Sequence, residues 1–412
     1  MTTLLFCLAI YCLLSIISVL LNVFFSNIQA IKAYRSELNG LSQKKRTVIN
    51  RISVVIPAYN ESKVVYRTVK SIMNNSYGNF QVIIVNDGST DNTAIDLYEL
   101  KKRYPKLIVV NQKNSGKSAA LNNALFNYVN GDIMLVLDAD SIASTDALAQ
   151  VNLTFQNEKI IALSSNVRIL HPKKFLEWAQ FFEYLFSSHN RGSQVPLNMQ
   201  YIIGGAGSAF RVPFLKMVGG YDINTPTEDI ALSLKMINYF GNKDWVFGYS
   251  ANAIFYTMPV HYYQELIAQR LRWRYGQIYE LIKNKTMMFN HSGKYTFLFS
   301  FFRLPLAAFG LIVILTGPFL TFTSVFALLS LDYYLFLGLT LLLTFTLLFT
   351  LANEPKISIS DKIKLICFSP ALFVLLSVIS FIEFIALILS FKKIKQAVKY
   401  GKADSGWNHV SR

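Results

Sequence analysis

The first thirty-one residues of this 412-residue chain contain no charged side chain, and three more apolar runs crowd its C-terminal third. These are 304–331, 333–353 and 365–391, the last interrupted only by Glu383. A helix needs ~20 apolar residues to cross a hydrocarbon core, and each run supplies them. The first run is much longer than a signal-peptide core and has no basic start or A-x-A cleavage pattern, so it reads as a retained anchor around Leu4–Phe25. Lys32, Arg35, Lys44, Lys45, Arg46 and Arg51 follow, which puts that side in the cytoplasm. The expectation is one span before a central region and about three after it, with a tight outer turn at Asp332. The tail sets two rules against each other. Three spans leave it outside, whereas Lys392, Lys393, Lys395, Lys399, Lys402 and Arg412 favour the inside.

Composition narrows the classes further. Hydrophobic residues make up 52% and charged residues 16%, well below the ~25% charged of an average soluble domain. Disorder needs low hydrophobicity and is excluded. Three cysteines, Cys7, Cys12 and Cys367, all in apolar runs, exclude a disulfide scaffold. The net charge of +16 would suit a nucleic-acid binder, but such a protein would not carry these uncharged runs, so no nucleic-acid partner is expected. A basic cytoplasmic face suits anionic lipid and anionic small substrates instead.

From Arg51 to about Asn284 the pattern changes. Ile52–Ile56, Gln81–Val85, Leu107–Val110 and Ile133–Leu137 read as buried strands, with helices over Glu61–Asn74, Asp91–Arg103 and Lys117–Tyr128 between them. That alternation indicates βαβ units and a mostly parallel sheet, in which ligands bind beyond the carboxyl ends of the strands. Three of the four strands deliver acids there: P-A-Y-N-E-S (57–62), V-N-D-G-S-T-D (85–91) and L-D-A-D-S (137–141). Asp87 and Asp91 also suit a turn and helix cap. Asp138 and Asp140, two apart at a strand end, point to the same side. As hard oxygen ligands without His or Cys they suit Mg²⁺ or Mn²⁺ completed by a substrate phosphate.

Three clusters lie downstream. I-G-G-A-G-S-A-F-R (203–211) is a glycine-rich turn, either a close approach to a ligand or a plain turn between core strands. Thr227-Glu228-Asp229 opens a helix over Ile230–Phe240, where Thr227 is a routine N-cap and the acids favour the helix dipole. Tyr262–Lys283 is a cationic amphipathic helix carrying Q-R-L-R-W-R-Y (269–275). At 100° per residue Gln269, Arg272, Trp273 and Gly276 share one side, with Arg270 and Arg274 on the next. That side can offer guanidinium to a pyrophosphate and indole to a sugar, and the helix equally suits an anionic lipid surface.

Taken together, V-N-D-G-S, D-A-D, T-E-D and Q-R-L-R-W in this order resemble the inverting family-2 glycosyltransferases of GT-A fold. Within that family they are most similar to the processive membrane synthases of cellulose, chitin, hyaluronan and poly-N-acetylglucosamine, and in chain length and motif wording to the last of these. The likeness covers roughly Ile52–Tyr275. It implies an α/β GT-A domain over 51–260 with flanking transmembrane helices. Around it would lie an anchor over 1–31, a basic linker over 32–50, an interface helix region over 261–303, a bundle over 304–391 and a basic tail over 392–412. It implies a hexosyltransferase that polymerises N-acetylglucosamine from UDP-GlcNAc into a β-1,6-linked glycan for biofilms, at the cytoplasmic membrane, beside a small membrane accessory subunit.

The resemblance also assigns roles. Tyr59, Glu61 and Asp87 would hold the uridine, with Lys117 near the nucleotide–sugar. Asp138 and Asp140 would hold the diphosphate through a divalent metal. Asp229 would be the catalytic base. Gln269, Arg270, Arg272 and Trp273 would bind the diphosphate and the acceptor end of the growing glycan, and Gly205, Ser208 and Glu228 would shape the acceptor pocket. Three alternatives stand: a non-processive transferase that moves one sugar to a lipid phosphate, another β-glycan synthase of the chitin, hyaluronan or cellulose type, and a turnover-dead nucleotide-sugar sensor, which the intact Asp87, Asp138, Asp140 and Asp229 disfavour.

Overall fold

Runs of β-branched and aliphatic residues between Ile52 and Val136 have both faces covered, so they make continuous apolar strands rather than alternating ones. In the computed structural model, β1 (Ile52–Ala58), β2 (Phe80–Asp87), β3 (Ile108–Gln112) and β4 (Ile133–Val136) alternate with α1 (Val65–Met73), α2 (Thr93–Arg103) and α3 (Lys117–Asn127). The structure describes residues 48–62, 64–315, 333–352 and 357–400, with Phe24, Ile28, Pro318 and Glu354 as isolated positions. The anchor segment apart from Phe24, the basic stretch to Arg46, the Asp332 turn and the tail beyond Tyr400 lie outside the described residues.

The chain continues through β5 (Ile142–Ala143), α4 (Ala147–Thr154), β6 (Ile160–Ile169), α5 (Phe175–Gln194), β7 (Ser208–Arg211), α6 (Val212–Met217), α7 (Glu228–Phe240), β8 (Val246–Thr257) and α8 (Tyr263–Lys283). The eight strands form one sheet in the order β3-β2-β1-β4-β7-β6-β8-β5. β1 pairs in parallel with β2 and β4, and β2 with β3, while β7 runs antiparallel to both β4 and β6. The sheet is therefore mixed, with its parallel half where the sequence places it. The chain leaves β1 towards β2 on one side and returns to β4 on the other, and that reversal opens a crevice at the carboxyl ends of β1 and β4.

Successive strand residues point to opposite faces, and the core divides accordingly. Val55, Ile83, Val85 and Met134 pack against Ala120, Leu121 and Leu125 of α3 and against Leu232 and Leu234 of α7. Val54, Ile56, Ile84 and Leu135 pack against Val65, Val69 and Ile72 of α1 and Leu97 and Leu100 of α2. Each fully buried aliphatic side chain stabilises the fold by about 1.5–3 kcal/mol over leaving it exposed. Gly207 (φ +76°) marks a close approach, since a Cβ there would lie 2.3 Å from the Phe255 ring.

Past α8 a π-helical turn (Leu298–Arg303) leads into α9 (Leu304–Ile314), followed by α10 (Tyr333–Ala352), α11 (Ile359–Cys367) and α12 (Ser369–Tyr400). Among the described residues one helical segment, Leu375–Gln396, is long and apolar enough to cross a membrane. These helices are not separate from the sheet domain. Leu347, Leu351, Leu365, Leu375, Ile379 and Ile382 share a core with Leu176, Phe182 and Leu185 of α5. Between α10 and α11, Glu354 reaches the sheet itself, where Arg168 of β6 donates to its Oε1 from Nε (3.1 Å) and Nη2 (2.6 Å), and Asn166 Nδ2 adds a third bond at 3.0 Å.

That ion pair is nearly closed to solvent, at 6% and 10% exposure. Removing one partner of a buried pair costs about 3–5 kcal/mol, because a charge stays behind in a poor solvent. Glu354→Ala is expected to lower the thermal unfolding midpoint of the detergent-solubilised protein by several degrees. Glu354→Leu combined with Arg168→Met should recover most of the loss in the same melting experiment.

Candidate active site

The cleft at the β1–β4 crevice has a volume of about 670 Å³ and is walled by strand ends on one side and by α5, α7 and α8 on the other. Glu61, Lys117, Asp138 and Asp140 line it from the parallel half of the sheet. Gly204, Gly205 and Ser208 line it from the glycine-rich turn, Glu228 and Asp229 from the start of α7, and Gln269, Arg272 and Trp273 from α8. Residues more than 200 positions apart in the sequence, such as Glu61 and Trp273, thus meet beyond the strand ends.

Lys117 is the hub. Its Nζ lies 2.8 Å from Asp138 Oδ1 and 2.8 Å from Glu228 Oε1, so the first residue of α3 joins the end of β4 to the start of α7. Burial pulls the Lys117 ammonium down, but the two carboxylates outweigh it and hold it above its ordinary value. Burial likewise pushes Glu228 up, and Lys117 reverses this and holds Glu228 below the usual carboxylate range. Asp229 has no such direct partner. Burial first and the Glu228 charge second push its carboxyl up to about 6, against smaller opposing effects of Lys117, the Ile230 N–H and Arg272.

Local geometry explains why Asp229 can face the cleft. Ser233 Oγ donates to the Asp229 carbonyl at 2.7 Å and accepts from Ile203 N–H at 2.9 Å, which fastens α7 to the glycine-rich segment. A Cβ on Gly204 would lie 2.3 Å from Asp229 Oδ2, so only glycine lets that backbone pass the carboxylate. Thr227 departs from the expectation of a side-chain cap. It occupies the N-cap position, but its side chain makes no capping bond and instead packs where a Cβ on Gly276 of α8 would stand, 2.3 Å from Thr227 Oγ1.

Several residues singled out from sequence sit elsewhere. Asp87 is fully buried and absent from the cleft lining, with Oδ1 accepting from Gln112 Nε2 and from the N–H of the lining residue Ser115, and Oδ2 from the N–H of the lining residue Gly116, each at 2.8 Å. It shapes the loop that delivers Lys117, which includes Gly116 at φ +89°. Asp91 takes the capping role, its Oδ1 accepting from Thr93 N–H at 2.9 Å. Tyr59 follows β1 directly and is absent from the cleft lining. Arg270 is absent from the lining and completely buried, its Nη2 donating to Glu183 Oε2 at 2.6 Å. Arg274 lines the cleft in its place.

Gln200 is a cleft residue that sequence reasoning missed. It is 2% exposed, and neither atom of its amide has a hydrogen-bond partner. Gln269 is 7% exposed and its Oε1 is likewise without one. Two buried amides with free capacity on one cleft wall fit a polyhydroxylated ligand, because a buried amide left unpaired costs about 1–3 kcal/mol. Gln200 lies in the unpatterned stretch N-M-Q-Y, which carries no periodic or motif signal.

The donor set for a metal is two hard carboxylates, buried Asp140 and more open Asp138, with no cluster of three ligating residues among the described residues. Two protein oxygens with the remaining positions left to phosphate and water are the usual pattern for Mg²⁺ or Mn²⁺, so the residues fit such an ion.

The fold is a mixed α/β sheet with an acid-rimmed cleft at its strand ends, and comparison with known proteins gives the class. Residues 50–276, just over half the chain, match the family described as glycosyltransferase like family 2, and the chain belongs to that family. It is 32% identical over 238 residues to a poly-beta-1,6-N-acetyl-D-glucosamine synthase of Staphylococcus epidermidis, covering 57% of each chain. It is 31% identical over 228 residues to the synthase of that name from Staphylococcus aureus (strain COL), covering 55% of this chain and 54% of the relative. The match thus spans little more than half the length of these relatives. A mannosyltransferase from Pyrobaculum calidifontis, solved with GDP-Man and Mn²⁺, superposes with a TM-score of 0.55 at 19% identity over 92% of this chain and 97% of its own, which establishes the shared GT-A fold.

Asp87 gives this site a sharp test. Asp87→Ala leaves two backbone N–H groups and the Gln112 amide without their acceptor, at a cost on the order of 3 kcal/mol. Amide exchange at Ser115 and Gly116 is expected to speed up markedly in hydrogen–deuterium exchange, with Lys117 contacts weakened as a consequence.

Proposed function

We propose that this chain is a processive, inverting glycosyltransferase that polymerises N-acetylglucosamine from UDP-GlcNAc into poly-β-1,6-N-acetyl-D-glucosamine. The observation that carries the reading is the convergence of Asp138, Asp140, Lys117, Asp229, Arg272 and Trp273 on a single cleft. The choice of sugar and linkage leans on the staphylococcal synthases.

In this reading Tyr59, Glu61 and the loop shaped by Asp87 receive the uridine, and Asp138 and Asp140 would hold a divalent cation, which would supply Lewis-acid neutralisation of the leaving diphosphate. Lys117 and Arg272 add fixed positive charge where negative charge develops as the anomeric C–O bond breaks. Asp229 takes the proton of the attacking acceptor hydroxyl, and a single displacement converts the α-linked donor to a β-linkage. A raised carboxyl suits this base, since proton transfer is efficient when the catalytic pKa lies near working pH. Gln269 and Trp273 hold the acceptor sugar, aided by Gln200, within the wall formed by Gly205, Ser208 and Glu228.

The division into an anchor over 1–31, a GT-A domain over 51–260, an interface helix region over 261–303 and a spanning bundle over 304–391 belongs to the same proposal. So do a multi-pass place in the cytoplasmic membrane, contact with lipid and a small accessory subunit for export. The apolar segment Leu375–Gln396 supports a place at the membrane.

The deciding assay uses membranes containing the chain, UDP-GlcNAc and Mg²⁺ or Mn²⁺, with linkage-specific digestion of the product. Polymer cleaved by a β-1,6-hexosaminidase supports the reading, and a lipid-extractable monosaccharide product replaces it with single transfer to a lipid phosphate. Asp229→Asn is expected to cost about 10²–10⁴-fold in transfer while UDP binding by calorimetry stays within twofold. Because the base works only when ionised and its carboxyl sits at about 6, the wild-type rate should fall as pH drops below about 6 and level off above it.

A further inference from the structure

The apolar segment Leu375–Gln396 carries one acid, Glu383. Ile379, Ile382, Glu383, Ala386 and Leu387 are all buried, and their three- and four-residue spacing puts them on one face, whereas Phe381, Ile388 and Leu389 are exposed. Glu383 therefore points into the protein, at the edge of the cleft, whose lining it joins together with Arg274 and Glu183. Its neighbours place it in the helix seam. Ile379 and Ile382 pack with Phe182 and Leu185 of α5, and Leu387 packs with Tyr275 and Ile278 of α8.

In that seam Glu383 meets the two arginines of α8 that flank the substrate-facing side. Arg274 Nε donates to Glu383 Oε2 at 2.5 Å, and Arg270 Nε lies 3.4 Å from Glu383 Oε1. Arg270 is held from the other side by Glu183 of α5, and its guanidinium stacks 4.2 Å from the centroid of the Trp273 ring. The chain of contacts runs on along the cleft floor. Arg274 Nη1 donates to Gln277 Oε1 at 2.7 Å, and Gln277 Nε2 reaches Tyr201 Oη at 3.3 Å, just ahead of Gly204.

We propose that Glu383 is a positioning residue for glycosyl transfer: through Arg270 and Arg274 it fixes the rotation of α8 that presents Gln269, Arg272 and Trp273 to the cleft. Apolar packing alone tolerates sliding and rotation of one helix on another. A buried acid between two guanidiniums permits one register, because any other leaves charge unpaired in a poor solvent. The cation over the indole carries that constraint to Trp273. Glu383 also gives the apolar helix a direct hold on the catalytic cleft, which no contact through the sheet provides. The inference rests on the reading of α8 as a substrate-facing helix.

The test is a double-mutant cycle on the full chain in detergent, with nucleoside diphosphate release from whichever sugar nucleotide the wild type consumes. Glu383→Gln is expected to lower kcat at least tenfold with donor KM within twofold, since Lys117, Asp138 and Asp140 are untouched. Glu383→Asp should retain more activity than Glu383→Gln. Arg274→Met should also lose activity, and the double variant should fall no further than the worse single one, as expected of one shared interaction. Losses that multiply in the double variant, or wild-type kcat in Glu383→Gln, overturn the proposal. A second arm keeps Trp273 as the sole indole by replacing Trp178, Trp245 and Trp407 with Phe. Glu383→Gln should then shift its emission, and unchanged emission overturns the link through Arg270. If the wild type consumes no sugar nucleotide, the functional reading has failed and the emission arm alone decides this proposal.

Discussion

The ammonium of Lys117, held between Asp138 and Glu228, is the contact on which the cleft depends. It joins the start of α3 to the end of the next strand, β4, and to the start of α7, which the chain reaches some hundred residues later. Without a cation between them, Asp138, Glu228 and Asp229 would repel one another in a partly buried crevice. With it, the charges sort into distinct states. Glu228 is held down by Lys117, and Asp229, denied that partner and crowded by Glu228, is pushed up. Two adjacent acids at one helix start therefore have different protonation behaviour, which is the condition for one to neutralise charge and the other to move a proton.

The second constraint is that helices close the cleft over the strand ends. The strand ends supply Glu61, Asp138 and Asp140 and the start of α7 supplies Glu228 and Asp229, while the arginines, the indole and the buried amides come from α5, α8 and the segment before the glycine-rich turn. Those elements are seated against the apolar helices by the α5 core and by two buried charge contacts, Glu354 with Arg168 and Glu383 with the arginines of α8. The apolar helices and the catalytic cleft are in this sense one mechanical unit. The GT-A fold is shared with a mannosyltransferase at 19% identity.

The acids at strand ends were legible because an open parallel sheet leaves few places for them, and Asp138, Asp140 and Glu61 stand there. The helix of Q-R-L-R-W was equally legible, and its 100° periodicity put Gln269, Arg272 and Trp273 on the cleft side and Arg270 on another. Arg270, to which motif likeness assigns a diphosphate role, is buried between Glu183 and Glu383, while Arg274, on the same side of the helix by periodicity, lines the cleft. Asp87 shows what periodicity leaves open. An acid at a strand end can serve the ligand or the neighbouring loop, and only the loop's three-dimensional path, bringing the Ser115 and Gly116 N–H groups onto its oxygens, separates the two. Gln200 had no signal at all, since a single amide in an irregular segment gains meaning only from the burial around it.

The sequence by itself determined the alternation of strands and helices, the acidic rim, the cationic helix and the apolar runs, because these follow from local periodicity and from the cost of exposing apolar surface. The tertiary structure decided which charges pair. Lys117 bridges two acids over a hundred residues away in one case and twenty-one in the other, and Glu383 finds arginines more than a hundred residues before it. Pairing energies depend on distance and burial, and neither quantity exists until the chain has folded.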